Sequence, residues 1–164
     1  MKLRALLLCG ALAACSAATP PKVPPAGYAF PELTGRVVDA ADILPQTPEA
    51  KLAAQLASVE MRTKHQFVVV TVKTLGGQTI EDYGRELGNF WGIGRKDIND
   101  GVLLVVSPVD RKVRIEVGKG LEKALTNDEA ATIIQEAILP HFKKGDMSAG
   151  ILAGSEGIIR EISS

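Results

Sequence analysis

Between residues 47 and 64 the positions Leu52, Leu56, Val59 and Thr63 recur every three to four residues, the spacing of a helix with one buried stripe. The pattern predicts a helix from Pro48 to Lys64, with Thr47 as N-cap, Pro48 at the first helical position and Glu49 at the positive helix end. Phe67 to Val72 is an unbroken run of apolar and β-branched residues, which predicts a central strand covered on both faces. After Gly76 and Gly77, the stretch Thr79-Ile80-Glu81-Asp82 opens a second helix running through Tyr83, Leu87 and Phe90 to Trp91. A polar loop from Gly92 to Gly101 leads to a strand over Val102–Val106. Lys112 to Val117 alternates polar with apolar residues, and the short connection Ser107–Arg111 predicts that these two strands pair antiparallel. Thr126 and Glu129 form a capping box for a helix that carries Ile133, Ile134, Ala137 and Ile138 and is expected to stop before Pro140. A last helix, about 147–162, presents Ile151, Leu152, Ser155, Ile158, Ile159 and Ile162 on one face. With a short extra strand at Arg36–Val38, the order predicts an α/β fold: a three-layer α/β/α sandwich, its mixed sheet of about four strands flanked by helices on both faces.

The first residues follow a different pattern. Lys2 and Arg4 precede the apolar run Leu6–Ala13, which is too short to span a bilayer and has the dimensions of a signal peptide over residues 1–14. The run leads into Leu12-Ala13-Ala14-Cys15, the pattern of a bacterial lipobox, in which Cys15 receives the lipid. Cleavage after Ala18 is the rival. Ser16 after Cys15 favours the outer membrane if the host is Gram-negative. The protein is therefore expected to be exported and lipid-anchored on the periplasmic side of a membrane. Residues 16–31 contain five prolines, and 15–31 read as the lipidated cysteine and a stiff, extended tether ahead of a single domain over 33–162. Loss of Cys9 with the leader and modification of Cys15 would leave the mature domain with neither a free thiol nor a disulfide.

Charge narrows the partners. The chain carries 19 basic and 19 acidic side chains, and removing Lys2 and Arg4 leaves 17 against 19. Such a balance does not suit a nucleic-acid binder. The sequence lacks Gly-x-x-x-x-Gly-Lys-Ser/Thr, and Gly118-Lys119-Gly120 reads as a turn, so no nucleotide site is expected.

Several phrases then coincide in order and spacing: Gly35-Arg36-Val37-Val38-Asp39 with Asp42-Ile43-Leu44, Trp91-Gly92-Ile93-Gly94 before Asn99-Asp100-Gly101-Val102, Asp110–Gly118 leading to Gly120-Leu121-Glu122, and Ile138-Leu139-Pro140-His141-Phe142 before Lys144-Gly145-Asp146. Together they resemble the TPM domain family, also called the TPM phosphatase family, over about residues 33–162. The resemblance implies an α/β/α sandwich displayed outside the cytoplasm on a membrane anchor. It also implies bound calcium, an acid phosphatase activity described for a plant thylakoid member, and an accessory role beside a receptor channel described for an animal member.

The residues support this chemistry unevenly. Phosphate-ester hydrolysis needs a nucleophile or a metal-activated water. Asp39-Ala40-Ala41-Asp42 lacks the spacing of an Asp-x-Asp phosphatase, and the catalytic residues stay unknown. His65 and His141 occur singly and read as structural, and Trp91 reads as core. The candidate metal ligands are Asp39, Asp42 and Asp100, then Asp128, whose capping position already explains it. Oxygen-rich loops of this kind suit Ca2+ or Mg2+. If the strands bearing Asp39 and Asp100 were antiparallel neighbours, those carboxylates would meet at one end of the sheet. Two readings follow: a metal-binding, phosphatase-like domain, or a non-catalytic accessory module for a membrane-protein partner.

Overall fold

In the computed structural model, which describes residues 22–164, β2 (Gln66–Thr71) lies between β1 (Val37–Asp39) and β3 (Gly101–Ser107), both parallel to it. β4 (Lys112–Val117) closes the far edge antiparallel to β3, giving the order β1-β2-β3-β4. The signal peptide and the lipobox expected at the N-terminus lie outside the described residues. Among those residues, no helix is long and apolar enough to cross a membrane.

Strand alternation sorts the apolar residues into two cores. Val37, Phe67, Val69, Val102, Leu104 and Val106 meet Leu52, Leu56 and Val59 of α1 (Gln46–Thr63) and Ile151, Ile158 and Ile162 of α5 (Met147–Ile162). Val38, Val68, Val70, Leu103 and Val105 face the other way, against Ile80, Tyr83 and Leu87 of α2 (Ile80–Trp91). The three layers and the mixed four-stranded sheet agree with the sequence pattern.

The two parallel crossovers step in the same direction across the sheet, yet α1 and α2 lie on opposite faces. They therefore have opposite hands. Gln66 N donates to Asp100 O and Val72 N to Val106 O, so even-numbered residues of β2 bond β3, while Val68, Val70 and Val72 face α2. For L-residues this places β3 to the right when the strands point up and α2 faces the viewer. The β2-α2-β3 unit is thus right-handed and β1-α1-β2 left-handed, a rare departure from the usual hand.

Element ends differ from expectation in two places. α1 begins at Gln46, after Pro45, with no side-chain cap, so Thr47 is inside the helix. The Thr126–Glu129 capping box opens α3 (Asn127–Thr132) as predicted, but the helical path does not stop before Pro140. It widens into a π turn over Ile133–Ile138, with Leu139 N bonded to Ile134 O, and continues as α4 (Leu139–Lys143) with Pro140 in its first turn. A proline lacks the N–H that a helix interior uses, and the wider turn with a fresh helix start accommodates it. On α5, Gly150 and Gly154 lie directly under Phe142 and Ile138, which brings the last helix close to this segment.

Over its described part, residues 22–31, the tether reading also needs correction. Tyr28 and Phe30 pack against the α2-side core, and Phe30 meets Tyr83 edge-on at 5.1 Å between ring centroids. Tyr83 Oη donates to Ala29 O at 3.0 Å, and Trp91 Nε1 donates to Pro31 O at 3.1 Å. Composition suggested a stiff, extended tether, yet two aromatic residues among the prolines find an apolar helix face to cover.

Candidate functional site

The loop between α2 and β3 is tied down at a buried charge. The side chain of Asp100 is 1% exposed. Its Oδ1 accepts from Arg95 N at 2.8 Å, and its Oδ2 from Arg95 Nε at 2.8 Å and Nη2 at 2.5 Å. Burial alone pushes this carboxyl up, but the side-chain and backbone hydrogen bonds from Arg95 outweigh it and hold the group below the usual carboxylate range. Gln66 Oε1 accepts from Gly94 N at 2.7 Å, which fixes the start of the loop to β2.

The end of the loop packs backbone against backbone. Gly118 N donates to Gly101 O at 2.8 Å, and Gly120 N to Asn99 O at 2.9 Å. A Cβ on Gly101 would lie 2.7 Å from the Ile93 carbonyl, and one on Gly118 would fall within contact distance of the Asn99 carbonyl oxygen. Asn99 holds a left-handed conformation, φ 55°, a region Asn visits more readily than most residues.

Above this glycine floor lies a cleft of about 290 Å³. Its lining includes Arg85, Gly88 and Asn89 of α2, Asn99 of the loop, Glu116 of β4, and Lys119 and Glu122 beyond it. Glu116 also accepts from Arg114 Nε at 3.0 Å. The lining thus offers two carboxylates, two cations and two amides, which suits recognition of a polar, mixed-charge group.

The expected metal ligands do not meet here. β1 and β3 both run parallel to β2, so Asp39, at the end of β1, and Asp100, just before β3, lie at opposite ends of the sheet. The antiparallel juxtaposition of these two residues is therefore corrected. Asp39 Oδ2 accepts from Leu44 N at 2.7 Å and Oδ1 from the Thr71 hydroxyl, bonds that shape the entry to α1. Asp42 is exposed at φ 56°, and Asp128 is exposed in the first turn of α3. Among the described residues, no three His, Cys, Asp or Glu side chains are grouped to hold a metal ion. Asp39, Asp42 and Asp100 do not fit a shared cation.

Other readings find their places. Asp110 lies at the opposite end of β3 from Asp100, accepting from Ser107 Oγ and Leu75 N at 2.7 Å each. Those bonds, that from Ser107 foremost, hold its carboxyl below the usual range. His65 Nδ1 lies 2.9 Å from Ile162 O and links the end of α1 to the end of α5. Trp91 is half-buried beneath Pro31. Sequence reasoning missed Arg85, Asn89, Glu116, Lys119 and Glu122. The available signal was the pair of glycine-bearing turns, Asn99-Asp100-Gly101 and Gly118-Lys119-Gly120, which pack against each other.

Comparison with known proteins agrees with the fold. The family model described as TPM domain matches residues 37–161. A solution NMR structure of the N-terminal domain of a protein from P. gingivalis is 31% identical, with a TM-score of 0.74, covering 79% of this chain and 82% of that one. The NMR structure of the BA42 protein from Bizionia argentinensis is 21% identical, with a TM-score of 0.64 and coverage of 74% and 83%. The N-terminal domain of the cg2496 protein from Corynebacterium glutamicum is 16% identical, with a TM-score of 0.62 and coverage of 83% and 86%. The comparison with curated proteins gives no match. With the family model spanning most of the chain, and an α/β/α sandwich shared with these structures, the chain belongs to the TPM domain family.

Proposed function

We propose that this protein is exported, anchored through a lipid on Cys15, and works as a non-catalytic accessory module that binds a membrane-protein partner in the cleft above Gly101 and Gly118. The observation carrying this reading is the cleft lining. Arg85, Lys119, Glu116, Glu122, Asn89 and Asn99 present charge of both signs and amide groups, and no Ser, Thr, Cys or His nucleophile stands among them. The carboxylates Asp39 and Asp100 already have protein donors on both oxygens and serve to shape loops.

A divalent-metal-dependent, phosphatase-like activity is the second reading. It is favoured by the two carboxylates Glu116 and Glu122 sharing the cleft with Arg85 and Lys119, which could meet phosphoryl oxygens. One experiment separates the two. The mature protein is incubated with p-nitrophenyl phosphate and with Ca2+ or Mg2+, and a photo-crosslinking residue at Asn89 is activated in cells. A membrane-protein adduct that Glu122→Arg removes, with no hydrolysis above buffer, supports the accessory module. Metal-dependent turnover that Glu122→Gln abolishes, with no adduct, supports the phosphatase-like reading.

A further inference from the structure

The segment before β1 folds back on itself along α2. Tyr28 N donates to Pro25 O at 3.1 Å, and Gly27 has φ 88°, so the chain reverses in a tight turn that needs glycine. On the outward leg, Lys22 Nζ donates to Phe90 O at 3.1 Å, at the carboxyl end of α2. At the turn, Gly27 O accepts from Gln78 Nε2 at 3.3 Å, just ahead of the amino end of α2. The return leg places Ala29 O on Tyr83 Oη and Pro31 O on Trp91 Nε1, again approaching the carboxyl end. Tyr28 and Phe30 stack against each other and against Tyr83, and Phe30 also meets Phe90. Burial here pushes the Tyr83 hydroxyl up to about 12.

We infer that residues 22–31 are a docked strap that leaves the domain at its cleft end, so that the cleft faces the membrane and its partner is a juxtamembrane segment of a membrane protein. The inference rests on the lipid anchor at Cys15 proposed above. Phe90 lies one residue after Asn89, which lines the cleft, so Lys22 enters the domain beside it. Six residues, 16–21, lie between Cys15 and Lys22, and the seven chain steps they make reach at most about 25 Å. The turn bearing Val109 lies at the other end of β3, and a strand of that length adds about 20 Å. The chain therefore joins the domain at its cleft end, about one strand length nearer to the anchor than the Val109 turn.

The test uses the full lipidated protein in phosphatidylethanolamine–phosphatidylglycerol vesicles carrying a headgroup-attached nitroxide. A fluorophore is placed at Lys119→Cys or at Val109→Cys. Cys9 is removed with the leader and Cys15 is blocked by lipid, so each introduced thiol is unique. Quenching at residue 119 should exceed that at residue 109 at least about threefold, because nitroxide quenching falls steeply with distance. Two further variants probe the strap: the pair Tyr28→Ser and Phe30→Ser, and an insertion of about a dozen Gly-Ser residues after Ser16, which lengthens the leash and leaves the strap intact. Both should bring the two signals together. Equal quenching in the parent protein, with the protein still floating with the vesicles, overturns the orientation alone. So does a difference that survives the long insertion. Failure of the parent protein to float overturns the anchor, and the orientation with it.

Discussion

Gly118 and Gly88 both line the cleft, and the same substitution at each should move stability in opposite directions. A Cβ on Gly118 meets the Asn99 carbonyl oxygen and lies 2.7 Å from Asn99 Oδ1 and 2.9 Å from the carbonyl carbon. The side-chain oxygen can swing away, but the carbonyl is fixed. Asn99 N donates to Arg95 O at 2.6 Å, and Asn99 O accepts from Gly120 N at 2.9 Å. Overpacking against such a position costs about 1–3 kcal/mol, and losing the Gly120 hydrogen bond adds about 1 kcal/mol. Gly118→Ala should therefore cost about 2–4 kcal/mol, a large share of the roughly 5–15 kcal/mol that holds a domain together. At this size it should lower Tm by about 10 °C. Gly88 is inside α2, and a Cβ there meets nothing within 4 Å. Gly88→Ala should stabilise by about 0.5–1 kcal/mol, because glycine loses more backbone entropy on entering a helix. Urea unfolding of the two variants, followed by far-ultraviolet circular dichroism and by fluorescence of Trp91, the single tryptophan, reads both effects. A Gly118→Ala protein within about 0.5 kcal/mol of the parent, the usual scatter of surface changes, would refute the backbone-on-backbone account of the loop. A destabilised Gly88→Ala protein would refute the open space at that position.

Asp100→Asn keeps the shape of the loop anchor but removes its charge, and should cost about 1.5–3 kcal/mol at neutral pH. Since the folded carboxyl lies below its unfolded value, its contribution is complete above about pH 4 and fades as pH falls through the folded pKa. The gap between parent and variant should thus be constant from pH 5 to 7 and shrink in acid, and an unchanged gap at pH 2 would count against the ion pair. Gly154→Ala places a Cβ 2.5 Å from Ile138 Cδ1, under a fully buried side chain, and should cost about 1–3 kcal/mol. A calorimetric midpoint equal to the parent's would mean that α5 has room to move off the π turn. If Cys9 leaves with the leader and Cys15 carries the lipid, as proposed above, thermal melts of the mature protein with and without dithiothreitol should coincide; a drop on reduction would point to a disulfide and a different cleavage site.

The candidate site was legible only in fragments. Gly118-Lys119-Gly120 and Asn99-Asp100-Gly101 each read as turns, and nothing local reveals that the glycines of one are needed by the backbone of the other. That requirement arises from the pairing of Gly101 with Gly118 across the β3–β4 hairpin. Asp39 and Asp100 stand out as carboxylates beside strand ends. Whether two strand ends are neighbours depends on strand direction, which is a property of the whole sheet.

What the sequence determined by itself is whatever short-range physics controls. The β-branched runs at 67–72 and 102–106 could only become strands buried on both faces. Thr126 and Glu129 could close their capping box without outside help, and the short connection, four residues between Ser107 and Lys112, forced β3 and β4 to pair antiparallel. Tertiary structure decided the rest. β1 has three residues and takes its direction from β2, with which it pairs parallel; α1 then sits on the face opposite α2, giving the left-handed crossover. The π turn exists because Ile133 and Ile138 must stay against the glycines of α5 while the chain passes Pro140. The strap at 22–31 reads as linker until α2 presents Tyr83, Phe90 and Trp91 on one side. Burying aromatic surface outweighs the chain entropy of ordering those residues, and that balance is set by a surface far along the chain that composition does not reveal.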